Sequence, residues 1–292
     1  MPVAGTRWLI HNSMPVAAAL DVVVFYPRCI AAILFFDARV SVMERLICKA
    51  DAHSLRFLLC YVALAGMASA VEPTEVSGLK PLKERVLTQA EQQALSPEEV
   101  LSMLREGNRR FVAGTLTLRD HSAQVRKAAL GQFPKAIILS CVDSRVPVED
   151  VFDRGIGDIF VSRNAGNFVN IDVLGGMEFA CKVAGAKLIL VMGHEDCGAV
   201  KGAIDNVKLG NLTAMLKNIR PSVAQVAEKV GEGTSADEAF VQKVTKQNVR
   251  DAIANIRKQS PVLLDLERQG KLKIVGGVYN MNTGEVEFFD ES

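Results

Sequence analysis

Three short, uninterrupted apolar runs constrain the fold most: Ala136-Ile137-Ile138-Leu139-Ser140, Ile159-Phe160-Val161-Ser162 and Leu188-Ile189-Leu190-Val191-Met192. A strand with one solvated face alternates apolar and polar side chains, whereas a run apolar at every position is covered on both faces. Helical patterns near 172–184 and 198–205 separate or follow the runs, with Gly185 as a stop before the third. This alternation predicts an α/β fold: a mostly parallel β-sheet flanked by helices. Two helices are expected before any strand. One lies around 83–95; the other is opened by the capping box Ser96-Pro97-Glu98-Glu99 and runs to about Arg110. Ser122 to Leu130 is a further short helix. Downstream, 212–229, 236–258 with Ser235 as its cap, and Pro261 to Gln269 read as helices. Leu272 to Tyr279, the Asn282-Thr283-Gly284 turn and Glu285 to Phe289 read as a terminal strand pair. With no internal repeat, 71–292 reads as a single domain.

The 292-residue chain is 49% hydrophobic with a mean hydropathy of +0.18, and the excess lies at its amino end. Residues 14–36 are apolar but interrupted by Asp21, Pro27 and Arg28, too broken for the roughly 20 residues that span a bilayer. The run Phe57 to Gly66 follows Arg56 and is followed by Ala68-Ser69-Ala70, small residues at cleavage positions. This reads as a secretory signal peptide over 43–70, starting at Met43 with Arg45, Lys49 and Arg56 as its positive charges. Residues 1–42 then lie upstream of the native start. The alternative is an apolar helix of the folded domain. The expected mature chain, Val71 to Ser292, is periplasmic or secreted after cleavage near Ala70, with no stable membrane span. Its first residues, 71–82, hold Pro73, Gly78 and Pro81 and read as a linker.

Six basic and four acidic side chains lie in residues 1–70, so the mature chain carries 28 basic against 29 acidic. Neither a nucleic acid nor an anionic membrane finds a global field to bind, and aromatics at 6% are too few for a base-stacking surface. Of six cysteines, Cys141, Cys181 and Cys197 remain, an odd number that argues against a disulfide framework.

Cys141 follows the first apolar run, in Ser140-Cys141-Val142-Asp143-Ser144-Arg145, and His194 and Cys197 follow the third, in Gly193-His194-Glu195-Asp196-Cys197-Gly198. In a parallel sheet both stretches fall at carboxyl ends of strands, where open α/β folds build their sites. Two sulfurs and an imidazole suit a borderline-soft ion such as zinc. Cys197 also precedes an Ala/Gly-rich helix start, whose N–H groups favour a thiolate. The competing reading makes the cysteines buried apolar thiols and His194 a satisfied loop histidine. Three protein ligands are one short of a closed structural site. A carboxylate in the fourth position, added to two thiolates, would make the complex net negative and weaken its Lewis acidity, whereas water keeps it catalytic. Asp143 is near enough to compete for that position, and Arg145 alternates onto the same side to hold it in a bidentate pair. Without the metal triad, a plain structural ion pair would be the preferred reading. His121 is the other histidine downstream of the leader, either a proton shuttle or a solvated residue before a helix. Cys181 reads as a core-facing helix residue.

Taken together, Cys141-x-Asp143-Ser144-Arg145, His194-x-x-Cys197, Arg163-Asn164-Ala165-Gly166-Asn167 and Gly198-Ala199-Val200 resemble the β-class carbonic anhydrases. The resemblance covers nearly all of 98–290, including Glu106-Gly107-Asn108-x-Arg110-Phe111, Gly277-x-Tyr279 and Thr283-Gly284. It implies amino-terminal helices laid across a partner subunit, in a homodimer or dimer of dimers. It implies one Zn2+ per subunit on Cys141, His194 and Cys197, with Asp143 and Arg145 as the catalytic pair. The implied reaction is reversible hydration of carbon dioxide to bicarbonate: zinc-bound hydroxide attacks, Asp143 orients it, and Arg145 holds Asp143. Some members carry a tryptophan three residues before the first zinc cysteine, beside a noncatalytic bicarbonate site; here Ile138 stands there, which favours an open site. Two other readings remain, hydrolysis of carbon disulfide or carbonyl sulfide on the same site and a catalytically silent zinc-stabilised scaffold. Retention of Asp143 and Arg145 argues against the scaffold.

Overall fold

Alternate residues of β1 (Ala136–Ser140) serve two different cores, which is why the strand is apolar throughout. Ile137 and Leu139 join Val173, Met177, Val249 and Ile253 on one face, while Ala136 and Ile138 join Val100, Leu104 and Phe152 on the other. Each fully buried side chain of this kind contributes about 1.5–3 kcal/mol relative to exposure. The computed structural model describes residues 83–289. The expected upstream segment, signal peptide and linker lie outside the described residues.

The sheet has five strands in the order β2-β1-β3-β4-β5, with β2 (Ile159–Arg163), β3 (Leu188–His194), β4 (Lys273–Tyr279) and β5 (Val286–Phe289). All neighbours are parallel except β4 and β5, the expected terminal pair. The first face is covered by α5 (Ile171–Glu178), α9 (Glu238–Gln259) and α10 (Pro261–Arg268); the second by α2 (Pro97–Val112) and α4 (Val148–Val151). Among the described residues, no helix is long and apolar enough to cross a membrane.

Local chemistry moved several boundaries. The helix expected around 83–95 is only α1 (Gln89–Ala94): Thr88 and Glu91 form a capping box that fixes its start, and Lys83 instead bridges to Arg119. The short helix α3 (His121–Ala128) starts one residue early because Asp120 accepts from the Ala123 N–H. The segment 172–184 changes character at Glu178, beyond which Phe179–Val183 is a π-helical turn closed by Gly185 at φ +82°. Beyond α6 (Gly198–Ile204), the stretch 212–229 is two helices, α7 (Gly210–Leu216) and α8 (Arg220–Val230). Pro221 suits the first turn of α8 and could not sit inside a continuous helix. Asp237, not Ser235, caps α9, because Ser235 donates its hydroxyl to Asp205 at 2.5 Å.

Candidate metal centre

Because β1 and β3 are parallel neighbours, the residues leaving their carboxyl ends meet. Cys141 leaves β1, His194 ends β3, and Cys197 is the N-cap of α6. Their ligand atoms all lie within 4.8 Å of one another, the two sulfurs are 4.0 Å apart, and all three residues are buried. The sequence reading named these three, and the fold brings them together.

The histidine is held for this purpose. Its Nδ1 lies 2.8 Å from the Glu195 carbonyl oxygen, so Nδ1–H donates and Nε2 presents a lone pair. Nε2 is buried and has no hydrogen-bond partner. Leaving a buried polar atom unpaired costs about 1–3 kcal/mol, a cost removed by a cation bound between Nε2 and the two sulfurs. Two thiolates and a neutral imidazole nitrogen are the donor set that zinc takes, so the residues fit the ion. The sequence reading missed the Glu195 carbonyl as the group that orients the ring; main-chain acceptors leave no residue-type signature.

Charge at the sulfurs is unequal. The Cys197 thiol hydrogen-bonds Cys141 and, against the cost of burial, the Gly166 and Asp143 N–H groups add to this. The Cys141 pKa falls to about 4. The anion on Cys141 in turn raises Cys197, with burial adding to it. The Gly166 N–H lies 3.3 Å from Cys141 Sγ.

Asp143 and Arg145 form the bidentate pair expected from their spacing. Arg145 Nε and Nη2 donate to Asp143 Oδ1 and Oδ2 at 3.0 and 2.8 Å, and the Arg145 backbone N–H donates to Oδ1 at 3.0 Å. These bonds hold the Asp143 carboxyl well below the usual carboxylate range and raise Arg145. Asp143 Oδ2 lies 3.8 Å from His194 Nε2, at the edge of the ligand cluster. Arg145 Nη1 also approaches Asp196 at 3.6 Å, and Lys201 pairs with the same carboxylate. These groups open onto a cleft of about 620 Å3 that is also lined by Glu238 and Asn280.

Arg163 was legible only as part of a motif, yet it fastens the loop that carries the pair. Its guanidinium donates to the carbonyls of Cys141 at 2.8 Å, Asp143 at 2.6 Å and Val146 at 3.1 Å. His121 does not join the site within this chain. It opens α3, whose Gln124 receives the Ile156 N–H just before the amino end of β2, whereas the cysteines lie at the carboxyl ends. Cys181 is buried in the π-helical turn, its thiol pushed up to about 12 by burial, and packs in the core as expected.

Residues 136–286 match a family model described as carbonic anhydrase. Carbonic anhydrase 2 of Mycobacterium tuberculosis is 36% identical over 196 residues, covering 67% of this chain and 94% of its own. Among solved structures, one of the tetrameric β-carbonic anhydrases of Sordaria macrospora superposes with a TM-score of 0.53 at 25% identity, covering 56% of this chain and 85% of its own. The Coccomyxa β-carbonic anhydrase, solved in complex with acetazolamide, gives 0.52 at 26% identity, covering 65% and 84%.

Proposed function

This chain belongs to the β-class carbonic anhydrase family, and from that premise we propose that it hydrates carbon dioxide reversibly to bicarbonate and a proton, using zinc held by Cys141, His194 and Cys197. The observation that carries the proposal is the buried, unpartnered His194 Nε2 facing two sulfurs beside a clamped carboxylate. Zinc on these ligands supplies acidification of a bound water, so that a nucleophile is available near neutral pH.

The chain's own residues do the rest. Cys141 and Cys197, as thiolates, balance the charge of a divalent cation. Arg145 occupies both oxygens of Asp143 and would keep that carboxylate off a metal held by the three ligands. Asp143 stays ionised, so it accepts a hydrogen bond from the attacking oxygen and aims the free lone pair at the carbon of CO2. Arg145, half exposed, lies between the Asp143 carboxylate and the cleft.

The tetrameric Sordaria enzymes support assembly of this chain as a homodimer or dimer of dimers. The leader-like run before Ala70 supports export, and amino-terminal sequencing of the secreted protein at Val71 checks it. Stopped-flow hydration of CO2 by the purified protein, with zinc assayed in parallel, tests the activity. Turnover should vanish on chelation and return with zinc. Zinc-loaded protein without turnover between about pH 7 and 9 overturns the proposal.

A further inference from the structure

Gly166 joins the metal centre to a helix that carries none of its ligands. Its N–H points at Cys141 Sγ at 3.3 Å, and its carbonyl accepts Asn248 Nδ2 at 2.8 Å from the middle of α9. Asn248 is 2% exposed, so solvent does not compete for that bond. One further hydrogen bond acts on this peptide. Asn164 ties the loop with its side chain, accepting from the Phe168 N–H at 3.2 Å and donating to the Phe168 carbonyl at 2.7 Å, and its own carbonyl accepts the Asn167 N–H at 3.3 Å, so Asn164 and Asn248 hold the two polar ends of the Gly166–Asn167 peptide. Ile219 and Ala199 pack against the left-handed backbone of Gly166, φ +89°.

We propose that Asn248 is a positioning residue for the metal centre, acting through Gly166 to hold an N–H on the Cys141 sulfur. The proposal rests on the zinc reading above and adds a residue remote from the ligands, on an element whose other role is to cover the sheet. An N–H donated to a thiolate withdraws charge from it. A ligand sulfur kept in that bond donates less to a metal and stays in one orientation. Asn248 fixes the Gly166 carbonyl, so it fixes the peptide plane on the other side of the same α-carbon. Removing its amide leaves the Asn167 N–H to Asn164 carbonyl bond of 3.3 Å to hold that peptide alone, and loosens the Gly166 N–H on Cys141.

The test uses metal-substituted protein and does not depend on turnover. In cobalt-loaded Asn248→Ala the sulfur-to-metal charge-transfer band should move to longer wavelength, and metal should pass to a chelator about tenfold faster than from wild type. Thr245→Val is the control: it lies one helical turn away on α9, equally buried, and its hydroxyl has no hydrogen-bond partner, so band and release rate should stay at wild-type values. In wild-type protein loaded with cadmium-113, the Gly166 amide proton should show scalar coupling to the metal through the sulfur. That measurement stands even if Asn248→Ala does not fold. An unmoved band and release rate in Asn248→Ala, or a Gly166 amide without coupling, overturns the inference. Wild-type protein that binds no cobalt overturns the zinc reading instead.

Discussion

Gly166→Ala isolates the tightest constraint in the site, and the structure predicts how to relieve half of it. At φ +89° any side chain costs about 1–2 kcal/mol of backbone strain. The added Cβ would also sit 2.4 Å from Ile219 Cδ1, with Ala199 Cβ at 3.2 Å and Ile219 Cγ1 at 3.4 Å. Ile219 is fully buried and cannot swing into solvent, so overpacking adds about 1–3 kcal/mol. The substitution should cost about 2–5 kcal/mol in all. Ile219→Val removes the one atom in severe contact and alone costs about 0.5–1.5 kcal/mol. In that background Gly166→Ala should cost the backbone strain and the lesser contact with Ala199, giving a coupling of about 1–2 kcal/mol. Urea unfolding of the four proteins, at one protein concentration and with chelator in excess, measures the coupling without contributions from metal binding. Equal costs in both backgrounds, to within about 0.5 kcal/mol, would refute the reasoning.

Two further outcomes follow from the same geometry. Asp143→Ala should retain its metal, since Asp143 is not among the three ligands, while CO2 hydration falls about 100-fold; lost metal or unchanged turnover counts against the orienting role. Asp153 is fully buried between Arg110 and Arg119, and Asp153→Asn should cost about 3–5 kcal/mol at neutral pH because it leaves the buried Arg119 guanidinium without a counter-charge and takes a partner from the partly exposed Arg110. Burial would raise the Asp153 pKa, but Thr117, Arg110 and Arg119 together hold it well below the usual carboxylate range. A depressed folded-state pKa stabilises above the unfolded value of about 3.9 and is lost as pH falls below it. The stability gap between wild type and Asp153→Asn should therefore be constant from about pH 7 to 5 and narrow below about pH 4, as urea midpoints can show.

The elements that were legible are those whose side chains declare an environment. Ile137, Ile138 and Leu139 announce burial on both faces, and Cys141, His194 and Cys197 announce a metal because few other arrangements need two thiols and an imidazole at strand ends. Asp143 and Arg145 are two residues apart, so their pairing follows from local geometry. What escaped is set by tertiary or main-chain partners. Ser235 and Asp237 are both good caps, and only the distant Asp205 decides between them by claiming the Ser235 hydroxyl. The π-helical turn at Phe179–Val183 goes with a bond from Ser260 to Glu178, 82 residues away in sequence. The shell around the candidate metal centre follows the same rule. The Glu195 carbonyl behind His194, the Gly166 N–H on Cys141 and the three carbonyls held by Arg163 are main-chain groups. Their positions depend on the path of the backbone, which no residue type records. Chemistry that resides in side chains can thus be read from a sequence, whereas the orientation of those side chains depends on peptide groups that only the fold places.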